Sequence, residues 1–310
     1  MLISMEVLLR PLTTASYLGN GATAMHGACL RMIELSSPDL ARRVHASKEK
    51  SGLTVSFPRR VYWDPDESRR EFLPRQCYHV RYTSYDHEIS TAFRDAYGSF
   101  CGSGKLLLPP REDATDYAPT WAVLDMALEP TWTKNEATPL TFKNLWQEAT
   151  AQKTIVLSFL TPTAIRANEA GVRKKKTYHL LPEPTSIFSQ YANCWNKHSS
   201  IPIRGIFEAC ENEVVSVDRY ERRIDTVIYR RPGGYDEAVR GFLGICSFRI
   251  NSNDRDLLRA LNALADFAYY CGTGSKTALG MGQTRRIPCA LPTDTTPLAS
   301  DSARNGPDDV

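Results

Sequence analysis

The amino-acid sequence predicts an α+β protein in which one βαββαβ unit follows another. Three observations predict it. The chain has 310 residues, too many for one small module and right for two domains of ordinary size. Its apolar residues, 42% of the total, fall into short strand-like and helix-like runs whose order is the same in both halves. Between the halves lies a polar stretch, Glu129 to Thr150, that carries Pro130 and Pro139. This order of elements is the ferredoxin-like arrangement, which the RRM shares. The expectation is two tandem ferredoxin-like (RRM-like) βαββαβ domains over residues 1–135 and 136–289, followed by a disordered tail or linker over 290–310.

In the first half, Ser4 to Leu12 alternates apolar and polar residues and predicts a strand, which Gly19 to Gly21 breaks. Ala24, Ala28, Met32 and Leu35 form one helical stripe. Ser37 and Pro38 then predict the cap and first turn of a short helix through Leu40 and Val44 to about Ser47. Leu53 to Phe57 and Cys77 to Thr83 read as strands, Asp86 to about Phe100 as an amphipathic helix, and Trp121 to Leu128 as the closing strand. In the second half, Thr154 to Leu160 is a strand. Pro184 to Lys197 is a helix with Ile187, Phe188, Tyr191 and Trp195 at helical spacing, and a further helical piece runs from about Arg204 to Glu211. Val214 to Arg230 and Val239 to Ile250 form a strand pair joined through Arg231, Pro232, Gly233 and Gly234. Asp254 to Cys271 is a helix with Leu257, Leu261, Leu264 and Ala268 on one face, and Leu279 to Ile287 is the last strand.

Composition narrows the function. No apolar run approaches the roughly 18 residues that span a bilayer, and Met1 to Arg10 has no signal-peptide pattern, so no membrane partner is expected. Eight cysteines are scattered without any CxxC pair, which argues against disulfide scaffolds and zinc ribbons and fits a reducing, cytoplasmic setting. Without the acidic last twenty residues, the body holds 37 basic and 31 acidic residues, about +6. That balance permits a nucleic-acid partner without demanding one. The tail from Pro288 is rich in Pro, Thr, Ser and Asp and suits a linker to a fused partner.

The strongest local signal is the run from Gly272 to Gln283. It holds Gly272, Gly274, Gly280 and Gly282 around Ser275, Lys276 and Thr277. Glycines let the backbone approach a ligand closely, the lysine adds charge and the hydroxyls add donors, so the loop suits phosphates. A nucleotide P-loop needs glycine immediately before the lysine, and a strand before the loop with a helix after it. Here Ser275 precedes the lysine, and the loop leads from a helix to a strand. The other reading is a glycine-rich connection with no ligand.

At this loop the sequence resembles the family of CRISPR-associated repeat-RNA (pre-crRNA) endoribonucleases, Cas-six. The resemblance extends to Met25 through Ala28, Ser37 through Ala41 with Val44 and His45, Leu53 through Ser56, Phe159 through Thr163, Pro184 through Phe188 with Trp195 and Asn196, and Gly241 through Gly244. It covers roughly residues 5 to 287, and the loop is its most specific part. The resemblance implies two ferredoxin-like domains that bind a CRISPR repeat RNA, often a hairpin. It implies one metal-independent cut, by 2′-OH attack on the adjacent phosphate, leaving a 2′,3′-cyclic phosphate and a 5′-OH. It implies no cofactor. Partners would be the repeat RNA and other CRISPR effector or adaptation proteins, reached through a fused C-terminal partner.

Such a reaction needs a group to take the 2′-OH proton, one to protonate the leaving oxygen, and positive charge on the phosphorane. Histidine suits proton transfer near neutrality. His45 matches the position after the second short helix where many family members hold a catalytic histidine. It also sits near a helix C-terminus, which favours the charged form. His26, on the first helix, is the second candidate. Leu30 stands where some relatives carry a catalytic tyrosine, so the partner of His45 is sought in Lys48, with Lys50 and Tyr17 as further choices. Arg42 and Arg43 lie beside His45 and are candidate phosphate contacts. Glycines 272, 274, 280 and 282 with Ser275, Lys276 and Thr277 are the candidate RNA-binding loop.

Asp64, Asp66 and Glu67 around Pro65 read as a solvated turn rather than a metal site. The basic run Arg173 to Tyr178 and the arginines Arg219, Arg222, Arg223, Arg230 and Arg231 suit either an RNA groove or a solvated surface. Arg240 to Gly244 faintly matches an RRM strand signature but lacks its second aromatic. Two alternatives differ in class: a non-catalytic RNA-binding subunit of a CRISPR complex with a silent His45, and an interaction module that binds no RNA.

Overall fold

The computed structural model describes residues 1–18, 21–47, 52–58, 69–110, 119–128, 140–166, 178–229 and 239–288. The fold class expected from the sequence is the one observed. In the first half, β1 (Ile3–Pro11), β2 (Ala15–Leu18), α1 (Ala22–Ser36), α2 (Pro38–Ala46), β3 (Leu53–Val55), β4 (Arg69–Phe72), β5 (Tyr78–Ser84), α3 (His87–Ser103), β6 (Leu106–Leu108) and β7 (Trp121–Leu128) follow one another. Their main sheet is antiparallel in the order β3-β5-β1-β7-β6, which is the ferredoxin-like order with one edge strand added. β2 and β4 form a separate ribbon.

Strand alternation sorts the two faces of this sheet. Met5, Val7 and Leu9 from β1 and Val80 and Tyr82 from β5 point to one side, where Met25, Leu30, Ile33, Ile89 and Phe93 of the helices meet them. The Ser37 cap is the one the sequence predicts. Ser37 Oγ accepts from the Leu40 N–H at 3.3 Å, with Pro38 at the first turn of α2. Asp86 caps α3, accepting from the Glu88 and Ile89 N–H groups at 2.9 and 3.1 Å.

The second half contains α4 (Phe142–Glu148), β8 (Thr154–Thr163), β9 (Ile165–Arg166), β10 (Tyr178–His179), α5 (Pro184–His198), α6 (Ile206–Glu211), β11 (Val215–Tyr229), β12 (Val239–Ile250), α7 (Arg255–Cys271), a 3-10 turn (Thr277–Leu279) and β13 (Thr284–Ile287). Its sheet order, β11-β12-β8-β13, is again ferredoxin-like. Trp195 and Phe267 stack edge to face at 5.5 Å in its core. Arg286 ties β13 to α7 through both carboxylate oxygens of Asp266, at 3.2 and 3.1 Å.

Two elements differ from expectation. The stretch expected to be a junction contains α4, whose Phe142 and Leu145 belong to the second core. Thr141 and Asn144 form a reciprocal capping box that starts it. The last strand begins at Thr284 rather than Leu279, because Gly280 and Gly282 take left-handed φ of 86° and 66° and the chain between them still turns. The expected 135/136 boundary and the tail beyond 289 lie outside the described residues, as does Cys289. No described helix is long and apolar enough to cross a membrane.

The halves share a contact in which α7 reaches under the first sheet. Ser4 Oγ lies 3.3 Å from Tyr269 Oη, and Thr83 Oγ1 donates to the Tyr270 carbonyl at 2.8 Å. Leu2 and Tyr85 of the first half sit in the core of the second, with the Tyr85 and Phe267 rings 5.4 Å apart. An RRM leaves this sheet face open for RNA; here the second half covers part of it.

Beside Tyr85, the second carboxylate oxygen of Asp86 lies 3.5 Å from His198 Nδ1 at the end of α5. Burial raises the Asp86 carboxyl, but the His198 contact and the two capping N–H bonds outweigh it and hold it below its ordinary value. A carboxyl depressed in the folded state stabilises the fold above its unfolded pKa and loses that contribution as pH falls through the folded one. Asp86→Ala is expected to cost about 1 kcal/mol through the lost cap. Asp86→Asn keeps a capping acceptor, so its stability deficit at pH 7 should shrink as the solution is taken below about pH 4. Thermal denaturation across that range checks both variants.

Candidate nucleic-acid interface

The glycine-rich loop leaves α7 where Gly272 N–H donates to the Ala268 carbonyl at 2.9 Å. The chain folds back on itself so that Thr273 N–H donates to Gly282 O at 2.8 Å, while Gly282 N–H donates to Pro162 O at 2.9 Å. Ser275 bonds the Ala164 carbonyl twice, from its N–H at 2.8 Å and from its hydroxyl at 3.0 Å. Gln190 of α5 clamps the loop's first turn. Its Oε1 accepts from Gly274 N–H at 2.6 Å and its Nε2 donates to Gly272 O at 3.2 Å. Beneath the loop, the Tyr191 hydroxyl bonds Thr273 Oγ1, which lies 2.7 Å from Thr284 Oγ1. Burial, first, pushes the Tyr191 phenol well up, so it stays protonated and able to donate.

The glycines serve this folding back. At Gly282, φ is 66° and an added Cβ would overlap the Thr273 carbonyl oxygen. At Gly274, φ is 78° and a Cβ would overlap the Ala164 carbonyl oxygen. Gly272 and Gly280 are buried as well, Gly280 against the ring of Phe57. The N–H groups of residues 273, 274, 275, 279, 281 and 282 donate within the protein, so they do not offer a row of donors to a ligand. Ser275, Lys276, Ala278 and Leu279 are partly exposed, and Lys276 is the charged one among them; Thr277 is buried, with its methyl towards Gly272. Lys276 holds a left-handed φ of 58°, a strain of about 1–3 kcal/mol for a residue with a Cβ.

The 3-10 turn of this loop packs on α1 and β3 of the first half. α1 carries His26, half-buried, and α2, packed on α1, carries His45, exposed in its last turn. From Ser47 at the end of α2 the chain needs only five steps to reach Gly52 beside β3, a span of at most about 18 Å. The loop's turn thus rests on β3 and on the helix of His26, and the helix of His45 packs on the latter. Lys48 and Lys50 lie outside the described residues, as do 64–67, 173–177 and 230–234. Arg42 is paired with Asp39, and Arg43 with Glu88 at 2.8 Å; both pairs are exposed, where such contacts are worth about 0–1 kcal/mol and a phosphate can replace the carboxylate. Leu30 is 1% exposed in the first core, so no polar partner for His45 stands there. Phe242 is buried against Phe159, centroids 5.0 Å apart, and is no stacking platform.

Residues 157–284, which include the whole loop, match the family model of CRISPR-associated endoribonuclease Cas6. Over that stretch the chain is similar to the Cas6 family. A Cas6 product complex shares the fold with a TM-score of 0.67 at 22% identity, over 93% of this chain and 99% of that one. A Thermus thermophilus Cas6 gives 0.62 at 21%, over 93% and 98%. A Cas6-related protein from Pyrococcus furiosus gives 0.56 at 13%, over 94% and 100%. At these identities the likeness carries the fold, two ferredoxin-like domains included. No curated protein matches the sequence.

Sequence reasoning missed Gln190, Arg81 and Gln283, which hold the glycine-rich loop in place. Gln190 had a readable signal, a polar side chain among the apolar residues Ile187, Phe188 and Tyr191 of α5. Gln283 adjoins the last glycine, but nothing local shows that its partner is a strand 202 residues earlier.

Proposed function

We propose that this chain is a Cas6-type, metal-independent endoribonuclease that binds CRISPR repeat RNA and cleaves precursor CRISPR transcripts into guide RNAs. The observation that supports it is the seating of the loop's 3-10 turn on β3 and on α1, the helix of His26, against which α2, the helix of His45, packs. The related structures supply the ligand class: one is a Cas6 product complex, one a Cas6 substrate mimic complex, and one a RAMP protein binding different RNA substrates.

In this reading Lys276 holds a phosphate oxygen, Ser275, with both donors on the Ala164 carbonyl, braces the turn that presents it, and Arg42 and Arg43 exchange their carboxylate partners for the RNA backbone. Buried Gly272, Gly274, Gly280, Gly282 and Thr277 shape the loop that presents Lys276. His45 takes the proton of the ribose 2′-OH as the oxygen attacks the adjacent phosphorus. Lys48 lies three residues on and neutralises the phosphorane. The Lys48 ammonium or water gives a proton to the departing 5′ oxygen, and the cut leaves a 2′,3′-cyclic phosphate and a 5′-OH. His26 is the reserve base on the neighbouring helix.

The test is cleavage of a labelled repeat RNA in EDTA. Cutting to a cyclic phosphate is the expected result. Tight binding without cutting would make the chain a binding subunit, and no salt-dependent binding would remove RNA altogether. Lys276→Ala is expected to weaken RNA binding uniformly across sequences and lower the salt slope by about one, which a titration over several salt concentrations measures.

A further inference from the structure

We propose that Arg81 and Gln283 form a latch that fixes the glycine-rich loop against the first domain, and that both are positioning residues for the reaction proposed above, on which this inference rests. Gln283 follows the last glycine of the loop directly, and four of its polar groups are engaged. Its backbone N–H donates to Thr161 Oγ1 at 2.9 Å and its carbonyl accepts from the Leu160 N–H at 2.8 Å, which anchors it in the second domain. Its side chain reaches the other domain. Oε1 accepts from Arg81 Nη2, and Nε2 donates to the Val55 carbonyl of β3 at 3.3 Å.

Arg81 is a buried cation, 7% exposed, in the middle of β5. Its guanidinium lies 4.2 Å over the Tyr269 ring of α7, and Glu6 stands opposite it on β1. A buried charge keeps its place only where its donors find partners, and a hydrogen bond from a guanidinium is roughly twice as strong as a neutral one. The strand also closes a circuit. Ser56 bonds the Arg81 backbone from both sides, its N–H donating to the Arg81 carbonyl at 2.8 Å and its hydroxyl accepting from the Arg81 N–H at 2.8 Å. The next residue, Phe57, bears on Gly280 of the loop. Loop, β3 and β5 are therefore tied at two points, Gly280 and Gln283, that bracket the loop's return to β13. β3 in turn adjoins the segment that follows His45. Releasing Gln283 leaves the second domain intact but lets Lys276 shift relative to the histidine helices, and misplacement by about 1 Å at a reacting centre can cost about a hundredfold in rate.

The experiment uses the full chain and three variants: Gln283→Met, Arg81→Met and the conservative Arg81→Lys. Three readings are taken: the single-turnover cleavage rate of labelled repeat RNA, its Kd, and amide hydrogen exchange of residues 273–282 without RNA. The latch predicts that each Met variant slows cleavage by about tenfold or more, leaves Kd within about threefold, and speeds exchange in the loop by about tenfold, the loss of one buried charge-assisted bond. The double Met variant should be no slower than either single, and Arg81→Lys should recover part of the rate.

Unchanged exchange and rate in Gln283→Met overturn the latch. So does a rate loss matched by an equal rise in Kd, which would make these RNA-binding residues, and so does a fall in thermal stability with rate and exchange unmoved. If the wild type binds the repeat and never cuts it, the ribonuclease reading fails, and exchange alone decides: faster loop exchange keeps the latch, and no change removes it.

Discussion

Replacing His45 with alanine is expected to slow repeat cleavage by about 10²- to 10⁴-fold, the usual worth of a positioned general base, while RNA affinity stays within about threefold. The side chain is exposed at the last turn of α2, clear of the core that holds Leu40, Ala41 and Val44, so removing it should leave the fold intact. That separation makes the variant informative. The measurement is a single-turnover time course with excess protein, beside a filter-binding titration of the same RNA. A rate within twofold of wild type would move the search to His26. Loss of binding together with cutting would make His45 a phosphate contact. The pH profile adds a second reading, since a histidine base loses activity as the solution is acidified below its pKa.

Gly282→Ala is expected to be the most damaging single methyl in the second domain. The residue sits at φ 66°, and the new Cβ would overlap the Thr273 carbonyl, which lies in the hydrogen-bonded fold-back of the loop. Backbone cannot swing aside as a flexible side chain can. The left-handed conformation alone costs about 1–2 kcal/mol, and with the clash the total should exceed about 3 kcal/mol. Thermal denaturation measures it. If the loop yields without unfolding the domain, the thermal midpoint will barely move and repeat binding will fall instead, so a titration belongs beside the melt. Gly98 is the control: it lies in α3, and an added Cβ there meets nothing within 4 Å.

The two ferredoxin-like units were legible because each of their main elements carries its own local signal. Ser37 with Pro38, Asp86, and the alternation of Met5, Val7 and Leu9 declare a cap, a helix start and a sheet face within a few residues. α4 was missed because its start signal uses Asn144 where a capping box usually has Glu or Gln, and because the prolines before it read as a linker. The ribbon of β2 and β4 and the pair of β9 and β10 are too short to show a period. The glycine-rich loop was visible as composition, but its glycines proved to serve close packing within the chain, which depends on Pro162 and Ala164 more than a hundred residues away. Arg81 carries no local signal of burial within its strand; it is buried where α7 and Gln283 arrive.

The cover over the first sheet also bears on how the chain is made. Ser4 meets Tyr269 across 265 residues of sequence. At ordinary synthesis rates, that tyrosine is added roughly 10–50 s after the strand it protects. During that interval the nascent first domain displays Leu2, Tyr85 and an unpartnered Arg81 on a finished sheet. A chaperone-free translation of residues 1–128 alone should therefore yield aggregate, and the same residues should become soluble once the ribosome has delivered α7.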